Sequence, residues 1–182
     1  LFGAFTGAGV LRKDPPDRYV FNVRASYADE TAEMVRGLLD DRKIDPHDIA
    51  FFTQDDAYGD AGYNGALKAL AAHGFTEMGK LPLGRYTRNT LDVEDGLARV
   101  LDPRVHPQAV IMIGTAKPCA QFITLARKSG LHAIFANVSF VGSAELRKEL
   151  GADAEGGVVT QDVPTRPGHL TGLDQARDAG LA

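Results

Sequence analysis

A short apolar run that stops abruptly on polar residues constrains this chain more than any other feature. Residues 49–52 read Ile-Ala-Phe-Phe, residues 54–60 are mostly polar, and a helical pattern follows. An uninterrupted apolar run of this length indicates a strand buried on both faces of a parallel sheet. Ligands of open α/β sheets bind beyond the carboxyl ends of the strands, so we expect functional side chains between Gln54 and Asp60.

The same order of strand, polar loop and helix recurs along the chain. The pattern predicts strands at residues 19–24, 49–53, 75–83, 109–114, 133–136 and 156–161. It predicts helices at residues 27–41, 60–73 and 91–101, around residues 119–126, and at residues 143–150, with Ser26 and Ser143 as caps of the first and last. This alternation predicts an α/β fold of three layers, in which a parallel sheet carries helices on both faces and right-handed crossovers join its strands.

The composition excludes several classes of protein. A formal net charge of −4, spread along the chain without basic blocks, disfavours binding to nucleic acid. The one cysteine, Cys119, excludes an internal disulfide and a multi-cysteine metal site. The histidines lack metal-ligand spacing, and no serine stands in a nucleophile elbow. We therefore predict no metal, no cofactor and no catalytic residue.

We expect any targeting peptide to have been removed or to lie upstream of Leu1, and the glycines near the start do not form a nucleotide motif. Leu1 is not followed by a charged and then apolar segment, and no apolar run approaches the roughly 20 residues that span a bilayer. Residues 7–9, Gly-Ala-Gly, lack the third glycine of the dinucleotide fingerprint because Arg12 stands there, and we interpret them as a backbone turn. We expect the chain to be a fragment of a longer polypeptide.

A pair of acidic residues leaves one alternative open. Asp55 and Asp56 follow the strand at residues 49–53, and Lys117 follows the strand at residues 109–114. Two carboxylates and a lysine at strand ends suit a magnesium-dependent domain that accepts or hydrolyses phosphate. The same carboxylates also suit the positive end of the next helix, where a negative charge contributes about 0.3–1 kcal/mol.

Four segments in this order resemble the class I periplasmic solute-binding proteins, most of all the branch that binds branched-chain amino acids and serves ABC importers. The segments are Phe-Gly-Ala-Phe-Thr-Gly at residues 2–7, Tyr-Val-Phe-Asn-Val-Arg-Ala-Ser-Tyr at residues 19–27, Gln-Asp-Asp-Ala-Tyr-Gly at residues 54–59, and Ala-Asn-Val-Ser-Phe-Val-Gly-Ser at residues 136–143. The resemblance covers residues 1–164 and ends there.

The resemblance implies a two-lobed protein that traps a small ligand in the cleft between its lobes. It implies that residues 1–26 form the end of the first lobe and a crossing strand and that residues 27–164 form the second lobe. Residues 165–182, which the resemblance does not cover, are a tail for which the sequence gives no clear structure. The ligand-binding residues that the resemblance implies are Phe5, Thr6 and Gly7 in the first lobe and Tyr58, Thr115, Ala116 and Ser139 in the second.

The implied function is capture of a small polar organic solute without catalysis, outside the cytoplasm and in partnership with a membrane permease. The loop at Ser139, which commonly supplies a carboxylate for the ligand's ammonium group in this family, has no acid nearby in sequence. We therefore expect an amino acid as the solute, with a related amide, a carboxylate or an aromatic acid as alternatives. A ligand-sensing receptor domain of the same fold is a further alternative.

Overall fold

Five parallel strands form one sheet in the computed structural model, which describes residues 1–155 and 157–161. The strands are β1 Ile49–Gln54, β2 Leu83–Tyr86, β3 Ala109–Ile113, β4 Ile134–Asn137 and β5 Gly157–Val159. Their order across the sheet is β2-β1-β3-β4-β5, and every neighbouring pair is parallel. The predicted parallel sheet is thereby confirmed.

Five α-helices follow or precede these strands and cover both faces of the sheet. They are α1 Tyr27–Arg36, α2 Ala57–Ala72, α3 Glu94–Val100, α4 Ala116–Lys128 and α5 Ser143–Leu150, and α1 continues as a π-helical turn over Gly37–Asp41. Apolar residues of α1 and α2 pack on one face, and those of α3, α4 and α5 pack on the other. The three-layer α/β architecture is also confirmed.

Strand β1 lies inside the sheet and is buried along its whole length. Successive side chains of a strand point to opposite faces, so Phe51 contributes to the core under α1 and α2 while Phe52 contributes to the core under α3 and α4. Phe52 stacks on Phe122 and Tyr86, with ring centroids 4.0 and 5.3 Å away. The apolar run therefore joins the two cores of the molecule.

The predicted start of α1 agrees with the structure, whereas α3 begins at Glu94 rather than residue 91 and the starts of α2 and α5 differ in their caps. Ser26 caps α1 as expected, because its side chain accepts from the Asp29 amide at 3.0 Å. Helix α2 begins at Ala57 rather than Asp60, because Asp56 serves as its cap. Ser143 is not a cap: it is the first residue of α5, and Gly142 precedes it with a positive φ of 75° that favours glycine.

Two predicted strands are wrong. Residues 19–24 form only one isolated bridge, between Phe21 and Phe2, because no further strand of the described chain lies beside them. The strand expected at residues 75–83 is instead a 3-10 turn at Met78–Lys80 followed by β2, which begins just after Pro82. Strand β2 therefore extends to Tyr86, three residues beyond the predicted end of the strand at residue 83.

Some predictions fall on residues outside the described ones. The tail at residues 165–182, the end of the second lobe at residue 164 and Gly156 of the last strand belong to this group. Within residues 1–155 and 157–161, no helix has both the length and the apolar character that a bilayer crossing requires.

We expect Phe52→Ala to destabilise the chain by about 3–5 kcal/mol, the usual cost of truncating a fully buried phenylalanine. The loss follows from the cavity left between Phe122 and Tyr86. Leu91→Ala is the matched control, since Leu91 is 47% exposed and should change the free energy of unfolding by about 0.5 kcal/mol or less. Urea denaturation measures both, and equal stabilities would contradict the account of the core.

Candidate functional site

The carboxyl edge of the sheet carries a chain of buried hydrogen bonds centred on Tyr86. The Tyr86 hydroxyl donates to Gln54 Oε1 at 2.9 Å and accepts from the Thr115 amide at 3.0 Å. Burial raises the pKa of Tyr86 to about 12, so the hydroxyl keeps its proton at neutral pH. Three strand ends, those of β1, β2 and β3, are thereby fixed to one another at the edge where ligands of α/β sheets bind.

Tyr58 lies above this edge with its ring in an aromatic cluster of Phe5, Tyr27, Tyr58 and Phe140. Its ring centroid is 4.7 Å from that of Tyr27 and 5.2 Å from that of Phe140, and Phe5 lies 5.6 Å from Phe140. The Tyr58 hydroxyl donates to the Gly114 carbonyl at 3.1 Å, and burial raises the pKa of this phenol. The predicted second-lobe tyrosine therefore contacts the predicted first-lobe loop through aromatic rings.

The loop at residues 5–7 is fastened to the beginning of α1. Thr6 Oγ1 lies 3.1 Å from the Tyr27 hydroxyl, and the Tyr27 amide donates to the Gly7 carbonyl at 3.1 Å. A Cβ atom at Gly7 would stand 2.7 Å from the Tyr27 ring, too close for any side chain. Glycine is therefore required here for close approach rather than for a special backbone angle.

Arg12 also holds this loop in place. In the sequence, the residue was notable only for standing where a dinucleotide motif requires glycine. Its guanidinium donates to the carbonyls of Ala8 at 3.0 Å and Arg24 at 2.7 Å, with longer bonds to the carbonyls of Thr6 and Ala25. A planar guanidinium with five donors suits such a cluster of carbonyl oxygens. Arg12 thus joins the loop that contains Thr6 and Ala8 to the segment that leads into α1.

Ser139 is surrounded by charged groups from distant parts of the chain. Arg24 Nη2 donates to its hydroxyl at 2.6 Å, and the Ser139 amide and hydroxyl donate to Glu30 at 2.7 and 2.9 Å. The carboxylate that the loop lacks in sequence is therefore supplied in space by α1, whose Glu30 is only 5% exposed. The available signal was helical spacing, which puts Glu30 on the same face of α1 as the buried Met34.

Thr115 and Ala116 lie at the beginning of α4. Thr115 is its N-cap but makes no side-chain capping bond, and it is exposed, while Ala116 is half-buried. Through the Tyr86 bond to the Thr115 amide and the Tyr58 bond to Gly114, this turn is connected to the rest of the edge. The structure thus gathers the seven predicted ligand residues at one edge, and their contact with a ligand stays a prediction.

The carboxylates near the end of β1, which the magnesium-site alternative would use, are paired with other groups of the chain. Asp55 pairs with Arg85 at 2.8 Å, and Asp60 pairs with the same guanidinium at 2.5 Å. In residues 1–155 and 157–161, no three side chains of the metal-binding types come together. Lys117 is exposed in the first turn of α4.

Asp56 has a structural role that occupies both of its carboxylate oxygens. Oδ1 accepts from the amides of Tyr58 at 3.0 Å and Gly59 at 3.2 Å, and Oδ2 accepts from Gln54 Nε2 at 2.6 Å. These are the bonds of a helix cap and its support. The arrangement agrees with the helix-end interpretation of the acidic pair and does not favour magnesium chemistry.

A groove of about 690 Å³ lies at the opposite, amino-terminal edge of the sheet. Its lining includes Gln108 before β3, Ala133 before β4, and the guanidinium of Arg127. That guanidinium donates to the backbone carbonyls of Asp153 and Glu155. The groove is therefore separate from the edge at which the predicted ligand residues meet.

The chain is similar to known proteins both in sequence and in fold. A family model described as periplasmic binding protein matches residues 3–178, beyond residue 164, where the resemblance recognised in the sequence ends. A search of curated proteins returned no match.

Solved structures of similar proteins cover nearly the whole chain. A possible leucine/isoleucine/valine-binding protein from Rhodopirellula baltica SH 1 is 48% identical, with a TM-score of 0.84, over 98% of this chain and 47% of its own. A substrate-binding periplasmic protein from Ralstonia solanacearum is 30% identical, with a TM-score of 0.75, over 89% of this chain and 43% of its own. A branched chain amino acid ABC transporter from Thermus thermophilus, with bound valine, shares the fold at 19% identity and a TM-score of 0.70, over 97% of this chain and 44% of its own. The chain spans about half the length of the structures that it matches.

We expect Gly7→Ala to weaken the attachment of the first-lobe loop to Tyr27, because the new methyl group overlaps the ring and the Tyr27 amide. Overpacking of this kind costs about 1–3 kcal/mol. The measurement is the free energy of opening of the Tyr27 amide, from hydrogen exchange followed by NMR. Gly9→Ala is the control, because a Cβ there meets nothing within 4 Å. Equal protection of the Tyr27 amide in both variants would contradict this account of the loop.

Proposed function

This chain belongs to the periplasmic binding protein family, and we propose that the complete protein captures a small polar organic solute in a cleft between two lobes and delivers it to an ABC importer. One observation carries the proposal. The loop at residues 5–7 and Tyr58, in the first turn of α2, meet through the rings of Tyr27 and Phe140, at the edge of the sheet where α/β proteins bind ligands.

We propose that residues 1–26 belong to the first lobe and its crossing strand, and that the second lobe begins at residue 27. The exposed surface of the first segment supports this division. Phe2, Val10, Tyr19, Phe21 and Val23 are each more than half exposed, whereas the large apolar residues after residue 26 are mostly buried. A concentration of exposed apolar side chains is typical of a surface that another part of a protein covers.

The proposed ligand contacts come from both lobes. Phe5, Thr6 and Gly7 present a ring, a hydroxyl and backbone groups. Tyr58, Thr115, Ala116 and Ser139 present a second ring, two further hydroxyls and the first turn of α4. Sites of this kind combine apolar walls with a few polar groups that orient the ligand. Closure of the lobes would then bury the ligand between these surfaces.

The solute that suits these groups is a branched-chain amino acid or a related amide or carboxylate. The name of the Rhodopirellula baltica protein, a possible leucine/isoleucine/valine-binding protein at 48% identity, supports the first of these. Binding without chemical conversion agrees with the absence of a nucleophile elbow in the sequence. We further propose an extracytoplasmic location and a membrane permease as partner, as the family implies.

A thermal-shift screen of the full-length protein tests the proposed function. The solutes are leucine, isoleucine, valine, their amides, small carboxylates and aromatic acids, with magnesium plus a phosphate analogue as a separate arm. A solute at 100 times its dissociation constant stabilises the folded state by about 2.7 kcal/mol, which raises the melting temperature measurably. We expect a shift with one class of solute and none with magnesium.

Either of two results would contradict the proposal. A shift confined to the magnesium arm would favour the acidic site at Asp55 and Asp56. No shift with any solute at millimolar concentration would remove the support for solute capture.

A further inference from the structure

Three distant segments of the chain meet at the buried carboxylate of Glu30. The amide and hydroxyl of Ser139, in the loop after β4, donate to it at 2.7 and 2.9 Å. The hydroxyl of Thr160, just after β5, donates to it at 2.5 Å. Helix α1, which holds Glu30 at 5% exposure, is thereby tied to the ends of two strands.

A carboxylate in this position constrains its partners strongly. A charge withdrawn from water is costly unless hydrogen bonds replace the water. Bonds to an ionised acceptor are also shorter and stronger than bonds between neutral groups. The three donated bonds therefore fix the Ser139 loop and the end of β5 relative to α1, and a neutral side chain of the same shape would fix them less well.

Arg24 extends this arrangement to the segment that leads into α1. Its Nη2 donates to the Ser139 hydroxyl at 2.6 Å, and the same hydroxyl donates to Glu30 Oε1. The guanidinium carbon also lies 4.3 Å from the centre of the Phe5 ring. A continuous path of contacts thus runs from Phe5 through Arg24 and Ser139 to Glu30 and on to Thr160.

We propose that Glu30 is a positioning residue that couples residues 24–26, which lead into α1, to residue 160 at the end of β5. On the proposed function, residues 24–26 belong to the crossing between the two lobes and residue 160 lies near the end of the second lobe, and only that part of the inference rests on it. A carboxylate that ties the crossing at residues 24–26 to the end of β5 would set how freely the lobes reorient during closure, because hinge motion is absorbed at a few residues at the ends of elements.

Hydrogen–deuterium exchange of the full-length, ligand-free protein tests this coupling, with peptides that cover residues 24–27, 137–141 and 158–161. Glu30→Gln keeps the shape of the side chain but replaces one acceptor oxygen with an amide group that cannot accept. We expect exchange to become about tenfold faster in all three peptides, which corresponds to about 1.4 kcal/mol of lost protection.

Two control variants separate positioning from general destabilisation. Glu33→Gln changes an exposed residue of the same helix, paired with Arg36 at the surface, and should leave all three peptides unchanged. Met34→Ala weakens the packing of α1 in the core. It should raise exchange in α1 and its neighbours, with no larger effect in these three peptides than elsewhere.

Faster exchange confined to α1 itself, or unchanged exchange at residues 24–27, would overturn the inference. If Glu30→Gln does not fold, Ser139→Ala removes the middle of the same path and must raise exchange at residues 24–27. The exchange experiment does not depend on the solute. If no solute shifts the melting temperature, the proposed function fails, but the exchange pattern still supports or contradicts the coupling through Glu30.

Discussion

The burial of β1 on both faces is the constraint on which the rest of the structure depends. A strand of Ile-Ala-Phe-Phe-Thr-Gln has no polar face to turn to water, so it must lie inside a sheet with helices above and below it. Parallel neighbours satisfy its backbone groups, and each parallel connection needs a crossover. The crossovers direct every strand the same way, and the polar residues that follow the strands therefore gather at one edge.

The sequence predicted the parts of the fold that local pattern determines. Buried runs such as residues 109–113 have no alternative to a central strand, and Ser26 followed by Asp29 satisfies a helix start within four residues. The predictions failed where the outcome depends on what lies beside a segment. Residues 19–24 have the β-favouring residues of a strand but meet only Phe2, and the half-buried edge strand β2 alternates too weakly to be separated from the preceding turn.

At the candidate site too, residues identified by local sequence pattern could be predicted, and residues placed by distant contacts could not. Tyr58 and Thr115 could be expected at the site because they follow strands directly. Arg12, Arg24 and Glu30 could not, because their roles arise from contacts across more than 10 and up to 130 residues of sequence. Glu30 stands in the first turn of α1, where a negative charge suits the positive end of a helix, but the partners of its carboxylate are Ser139 and Thr160.

The central claim is that the chain supplies one side of a clamp whose other side lies mostly elsewhere in the polypeptide. Titration calorimetry measures this most directly, by comparing residues 1–182 with the full-length protein for the solute that gives the largest thermal shift. The account predicts at least a roughly tenfold weaker affinity for the 182-residue chain, a difference of about 1.4 kcal/mol or more. Equal affinities would contradict it, because a solute held between two lobes cannot bind as well to one of them.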